Sequence, residues 1–430
     1  MSAPSASYRW KILFLLTSAQ ALAYTDRVNL SVAGPVLIRL HHYSPALLGV
    51  LFSIFNWTFT LAILVAGPLS DLVRARVAYS LGVGIWSTAT ILCGLTTSFA
   101  PLAIARALVG VGEGPTIPAG GLVIRETFEE HHRASAVGTF FAGNKLRLAL
   151  GIPFASIILA RWGWPWVFYV TGALGIVWVV AWLTVYRPPS REAPPTQRLH
   201  NPAAAIRWST LLRYRTTWGI MVGQAGYLYI YYVFATWLPG YLVLQRHMSI
   251  LNSGFVGMLP FVVGIGCTVA GGWLGDMMVS RGVGKTFARK AFAVGGLFAA
   301  TIFTILGALS PASMTILAIV FLTLSIASFS FATAAVNSMT IDIAPPHVVS
   351  SLVSLQNFGG NVGGSFAPVV TGVLLANTGS FLVPLLVTAG VALIFGCGAF
   401  GLIVGDLEHQ LRPPTDRRRI DGGEIDRPTA

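Results

Sequence analysis

Apolar runs of roughly 20 residues recur along the whole chain, each long enough to cross a bilayer as a helix. They fall near 12–38, 46–69, 77–96, 100–123, 135–159, 166–186, 217–242, 251–274, 291–309, 313–340, 350–376 and 381–404. Short stretches rich in basic residues, proline and glycine separate them. This pattern predicts an all-α polytopic membrane protein with twelve transmembrane helices, and the even number puts both ends on one side of the membrane. Arg9, Lys11, an apolar stretch and Ala21-Leu22-Ala23 imitate a cleavable signal. The run stays apolar after a short polar patch and further spans follow, so it reads as the first membrane helix.

The longest interior polar segment, Arg187–Arg215, opens with prolines and carries six arginines, as a cytoplasmic linker does. It divides the chain into a six-helix bundle over 1–186, the linker 187–215, a second six-helix bundle over 216–405 and a tail 406–430 expected to be disordered and cytoplasmic. The halves echo each other. "GPLSD" at Gly67–Asp71 returns as "GWLGD" at Gly272–Asp276, and "GNKLRLALGIPFASIILARWG" from Gly143 returns as "GNVGGSFAPVVTGVLLANTG" from Gly360. Parallel six-helix repeats with a site between them near the midplane are a transporter plan.

Composition agrees with that plan. Only 10% of residues are charged and the mean hydropathy is +0.71, whereas soluble domains carry about 25% charged residues. Twenty-one of the 28 basic residues fall on the side of the termini, and only Arg39, Arg161 and Arg246 on the other. Cytoplasmic loops collect Lys and Arg, so both termini are expected in the cytoplasm. The net charge of +13 then reflects topology and attraction to the membrane surface. Nucleic-acid binding is disfavoured because these bases are dispersed over short loops. Cys93, Cys267 and Cys397 lie in separate apolar runs without metal spacing. "GVGEGP" lacks a nucleotide-binding lysine and a preceding strand. His131, His132 and His347 read as solvated loop residues. No cofactor and no enzymatic activity are expected.

Removing the loop charges leaves few. Arg27, Arg106, Lys145 and Arg147 are the bases inside spans, and Asp26 and Glu113 the acids. An ionisable group at the centre of a membrane helix costs roughly 2.5–3.5 kcal/mol even on the lenient insertion scale. Asp26 and Arg27 sit in "YTDRVNLSVA", Arg106 and Glu113 in "ARALVGVGEGP". Seven residues apart, Arg106 and Glu113 share a helix face about 10 Å apart along the axis. Gly110, Gly112 and Gly114 allow close approach of a neighbour, and Pro115 and Pro118 kink the helix beyond. Arginine stays protonated and offers a planar fork to a carboxylate. A buried acid prefers its neutral form unless a cation holds it ionised. An acid beside an arginine therefore takes a proton when an anion competes for that arginine. Two static salt bridges between helices are the structural alternative.

Across its length the sequence resembles the major facilitator superfamily. "GPLSDLVRAR" at Gly67–Arg76 is similar to the family's loop 2–3 signature, with Leu72 where the family has a basic residue, and "GGWLGDMMVSRGVGKTFARK" to its degenerate copy. The resemblance implies that Asp71 and Arg74 latch cytoplasmic helix ends in one conformer, with Asp276 in the second copy. "YTDRVNLSVA", "RALVGVGEGP", "YYVFATWLPGYL" and "LQNFGGNVGGSFAPVVTG" resemble the anion:cation symporter branch, which includes galactonate, glucarate, tartrate and phthalate carriers and sialin. It implies that Asp26 and Glu113 are linked to protons and Arg106 engages substrate, while Arg27 stabilises the packing of the halves. Arg147 stands where relatives have Gly; it could contact an anion, pair with Glu113 or disturb transport.

Polar candidates for the lining are Gln224, Tyr227 and Tyr231 on one face of span 7, Asn144 in span 5, and Asn357 and Asn361 in span 11, with Asn337 weaker. Together these features lead us to expect a monomeric, proton-coupled importer of a small organic anion of the sugar-acid type in the inner membrane. Antiport efflux of a metabolite or drug and import of an aromatic carboxylate are the alternatives.

Overall fold

The computed structural model describes residues 6–72, 75–187, 208–344 and 348–405, and every regular element among them is helical. The first half contains α1 (Ala6–Leu40), α2 (Pro45–Leu72), α3 (Ala75–Leu95), α4 (Phe99–Glu113), α5 (Thr116–Thr127), α6 (Glu130–Trp162) and α7 (Trp164–Val185). A single turn, α8 (Trp208–Leu211), lies at the end of the linker. The second half contains α9 (Arg215–Leu244), α10 (Ile250–Ser280), α11 (Lys285–Leu309), α12 (Thr315–Ile343), α13 (Val349–Ser365), α14 (Ala367–Thr378) and α15 (Leu382–Val391), which runs on in π-helical turns to Ile403. The pairs α4/α5 and α13/α14 each make one crossing. Twelve crossings therefore stand where the apolar runs predict them, six in each bundle. α6 begins at Glu130, so His131 and His132 belong to a helix and not to a loop. The tail from 406, His347, and the side chains of Asp71 and Arg74 lie outside the described residues.

Among the described residues ten crossings are long and apolar enough on their own to span a membrane, and the two crossings outside that count are α1 and α6. Those two carry the in-span charges Asp26, Arg27, Lys145 and Arg147, and they pack against each other. Lipid-facing positions elsewhere are bare hydrocarbon: Val269 is 70% exposed, Ile316 79% and Leu402 81%. A water-soluble surface rarely gathers such residues into a continuous belt.

The internal repeat is visible in the backbone. Gly163 ends α6 at φ +89°, and Gly379, its counterpart in the repeat, ends α14 at φ +65°. Both turns need the left-handed region that glycine enters freely.

The halves meet through α2–α14, α6–α10 and α1–α9. Between α2 and α14 the backbones touch: a Cβ on Gly49 would lie 2.5 Å from the Pro368 carbonyl oxygen. Trp237 donates its indole hydrogen to the same carbonyl at 3.1 Å and stacks edge-on against Phe52 at 5.6 Å. Ser31 donates to the Thr236 carbonyl at 2.6 Å. All these contacts lie on the side remote from the termini. There the bundles are shut, and a cavity opens between them toward the face that carries the linker.

At that face Arg289 of α11 ties α10 to α12, donating to Asp276 and Asp342 at 2.8 Å each. Asp276 thus serves a clasp inside the second bundle.

Candidate functional site

The cavity between the bundles has a volume of about 650 Å³. Arg27, Phe59 and Thr60 line it from the first bundle. Gln224, Tyr227 and Tyr231 of α9, and Asn357 and Asn361 of α13, line it from the second, with Thr333 and Asn337 of α12. The spacing of three and four on α9 thus puts its three candidates on one wall, as expected. Asn144, Lys145 and Arg147 lie on the α6 backbone, but their side chains are outside the described residues.

Among the described residues Arg27 is the charged one of this lining, and it faces Glu113. Its Nε and Nη2 donate to the same carboxylate oxygen at 3.1 and 2.7 Å. This ion pair joins α1 to α4 within the first bundle. Glu113 is almost fully buried because glycines flank it. A Cβ on Gly112 would lie 2.6 Å from the Trp86 nitrogen, and one on Gly114 2.5 Å from the Ala62 Cβ. α3 and α2 thus close on α4 from two sides. The helix then breaks between Glu113 and Thr116, where Pro115 supplies no backbone donor.

Arg106 lies deeper, 1% exposed, in a small void adjoining the cavity and shared with Arg27, Asn56 and Tyr231. Its Nη1 donates to the Asp26 backbone carbonyl at 3.3 Å, and its Nε is buried without a hydrogen-bond partner among the described residues. The Phe55 ring contacts both arginines, its centroid 4.8 Å from the Arg27 guanidinium carbon and 4.9 Å from that of Arg106. Phe59 covers Arg27 at 4.4 Å. Aromatic faces steady cations where water is excluded. Asp26 lies behind this layer. Its Oδ1 accepts from Asn29, whose amide also donates to Thr171 of α7 at 2.7 Å.

Much of the polar lining on the second bundle is already engaged. Tyr227 shares a hydrogen bond with Thr333 at 2.7 Å, Gln224 accepts from Gln356, and Asn361 accepts from Tyr232 at 2.8 Å. The sequence reading missed Thr60, Ser330 and Thr333 in the lining. Hydroxyls on membrane helices commonly bond their own backbone, which hides them from a reading of sequence alone.

The sequence profile of the Major Facilitator Superfamily matches residues 16–368. The chain belongs to that superfamily. Like others of the superfamily, it is a multi-pass membrane carrier and not an enzyme. It is 30% identical over 425 residues to the D-galactonate transporter of Escherichia coli O6:H1 (strain CFT073), covering 93% of this chain and 96% of the relative. It is 29% identical over 400 residues to the probable L-galactonate transporter of Escherichia coli (strain K12), covering 89% and 87%. The superfamily fold is shared with the crystal structure of a bacterial homolog to the human lysosomal transporter Spinster, in an inward-facing and occupied conformation. The TM-score is 0.81 at 19% identity, over 96% of this chain and 100% of that one.

Proposed function

We propose that the protein imports a small organic anion of the sugar-acid type together with protons, by alternating access of its two bundles. The observation that carries this reading is the meeting of Arg27 and Arg106 at the small void adjoining the cavity, Arg27 neutralised by Glu113 and Arg106 with an Nε that has no hydrogen-bond partner among the described residues. The names of the two galactonate relatives support the substrate class.

Glu113 and an incoming carboxylate compete for the same guanidinium. Protonating Glu113 frees Arg27, which then turns its donors to the cavity, and a bound anion in turn favours the proton on Glu113. Arg106 takes the substrate carboxylate with its planar fork. Asp26 is the second proton carrier. Gln224, Tyr227, Tyr231, Asn357 and Asn361 contact the body of the substrate from the second bundle, with Asn144 of α6 as a further substrate-binding candidate. Asp26, Arg27, Arg106 and Glu113 together are neutral, so a monoanion entering with one proton leaves the group neutral.

On this reading both termini lie in the cytoplasm, the side on which the basic loops collect, and the open cavity is the inward-facing state. Asp71 and Arg74 latch the cytoplasmic ends in the opposite conformer.

Phe59, Tyr227, Tyr231, Phe261 and Phe329 line much of the cavity, and this favours a second reading in which the cargo is an aromatic carboxylate. A thermal-shift series with galactonate, glucarate and phthalate separates the two. Stabilisation by the sugar acids alone supports the first, stabilisation by phthalate alone the second, and indifference to all three counts against an organic anion of either type.

A further inference from the structure

The small void beside the cavity gathers more than the two arginines. Its volume is about 20 Å³, and its polar lining comes from Arg27 of α1, Asn56 of α2, Arg106 of α4, and Tyr231, Tyr232 and Thr236 of α9. Arg27, Tyr231 and Tyr232 line the cavity as well, so the two spaces share a wall. A water needs about 10–15 Å³. The void therefore takes a hydroxyl or one end of a carboxylate and is too small for a ring.

Asn56 is 3% exposed. The close packing of α2 on α4 sets it beside Arg106. A Cβ on Gly110, one turn after Arg106, would lie 2.6 Å from the Phe55 carbonyl oxygen. Backbones that near carry Asn56 and Arg106 into the same void. The Thr60 hydroxyl donates to the Asn56 backbone carbonyl at 2.8 Å, a bond internal to α2. On the opposite wall Thr236 gives its hydroxyl hydrogen to the Tyr232 carbonyl at 2.7 Å, and its own carbonyl accepts from Ser31.

A buried amide costs free energy unless its donors and acceptor are paired. Arginine only donates, whereas the Asn56 amide brings an acceptor oxygen along with its donors. The void thus sets the partnerless Nε of Arg106 and an amide acceptor side by side. A carboxylate asks for donors alone. A hydroxyl on the carbon next to that carboxylate also needs an acceptor for its hydrogen.

We propose that Asn56 is a specificity-determining residue that reads the 2-hydroxyl of a 2-hydroxy acid whose carboxylate rests on Arg106. The 2-hydroxyl donates to the Asn56 amide oxygen and accepts from a neighbouring donor in the void. An acid without that hydroxyl leaves the amide buried and unpaired, a loss that counts against its binding. Both bundles wall the void, so the hydroxyl is read while the side remote from the termini is shut.

The inference rests on the sugar-acid reading of the cavity, and its test separates the two. Calorimetric titration of the purified full-length protein compares galactonate with 2-deoxygalactonate. Wild type should bind galactonate on the order of tenfold more tightly. Asn56→Leu, close in volume and without polar atoms, should weaken galactonate to the level of 2-deoxygalactonate, whose own Kd should stay within about twofold. A purely structural Asn56 would weaken both acids alike in the variant, and that result overturns the proposal. Equal binding of the two acids by wild type overturns it as well. Should Asn56→Leu not fold, Asn56→Ala carries the same expectations. Wild type that binds neither acid would instead overturn the sugar-acid reading.

Discussion

Arg27 directs two of its hydrogens, from Nε and Nη2, at the single oxygen Oε2 of Glu113. The Glu113 side chain is 2% exposed and that of Arg27 14%, so the arginine stands between the acid and the cavity. Any anion arriving from the cavity meets the guanidinium first and the acid behind it. On the proposed reading, that order makes the pair a competition site as well as a strut.

On the proposed reading, replacing Glu113 by glutamine removes the competitor and the proton carrier together. Breaking a buried pair by removing one partner costs about 3–5 kcal/mol where both charges are buried, and the partial exposure of Arg27 reduces that cost. The expected outcome is a folded protein of lower Tm whose anion binding persists while its gradient-driven accumulation is lost. Uptake assays set beside equilibrium binding check it, and accumulation at the wild-type level would contradict it.

Arg106→Lys keeps the charge and removes the fork. A hydrogen bond to a charged group contributes about 1.5–3 kcal/mol, so Kd for the substrate should rise roughly 10- to 100-fold with the fold intact. Calorimetric titration on the purified variant measures this directly. An unchanged Kd would assign the carboxylate to another residue.

The closed side depends on backbone contact at Gly49. A leucine there has no room against the Pro368 carbonyl, so Gly49→Leu should wedge α2 from α14 and shift the carrier toward the conformer open on that side. Spin labels on the ends of α2 and α14 should report a longer mean distance in this variant. A distribution identical to that of the parent protein would refute the wedge.

Within the Arg289 clasp, the Asp276 side chain is 71% exposed and that of Asp342 22%. Exposed pairs contribute about 0–1 kcal/mol. Asp342→Asn should therefore lower Tm more than Asp276→Asn, and thermal unfolding in detergent ranks them. The reverse order would mean that solvent does not weaken the Asp276 contact.

The twelve crossings, their division into six and six and the repeat were legible because lipid imposes a length and a hydropathy on each span, and glycine marks the turns. Gly163 and Gly379 could be paired from sequence alone. The in-span charges were equally legible, since each stands out against hydrocarbon. What the sequence left open was pairing. Arg106 and Glu113 share a face of one helix, yet Glu113 is engaged by Arg27 from α1, because the approach of α1 to α4 is a tertiary fact with no sequence period. The contact of the Phe55 ring with both guanidinium groups was hidden for the same reason. The occupied state of Tyr227, Gln224 and Asn361 likewise follows from neighbours more than a hundred residues away.

Proton coupling is the central claim, and uptake into proteoliposomes under an imposed gradient tests it most directly. With the interior at a pH of about 8, lowering the exterior from about 8 to about 6 should accelerate galactonate uptake by wild type, because the protonated acids favour loading of the anion. Asp26→Asn combined with Glu113→Gln should abolish that acceleration. A wild-type rate indifferent to the gradient, or a double variant that still responds to it, would contradict the account.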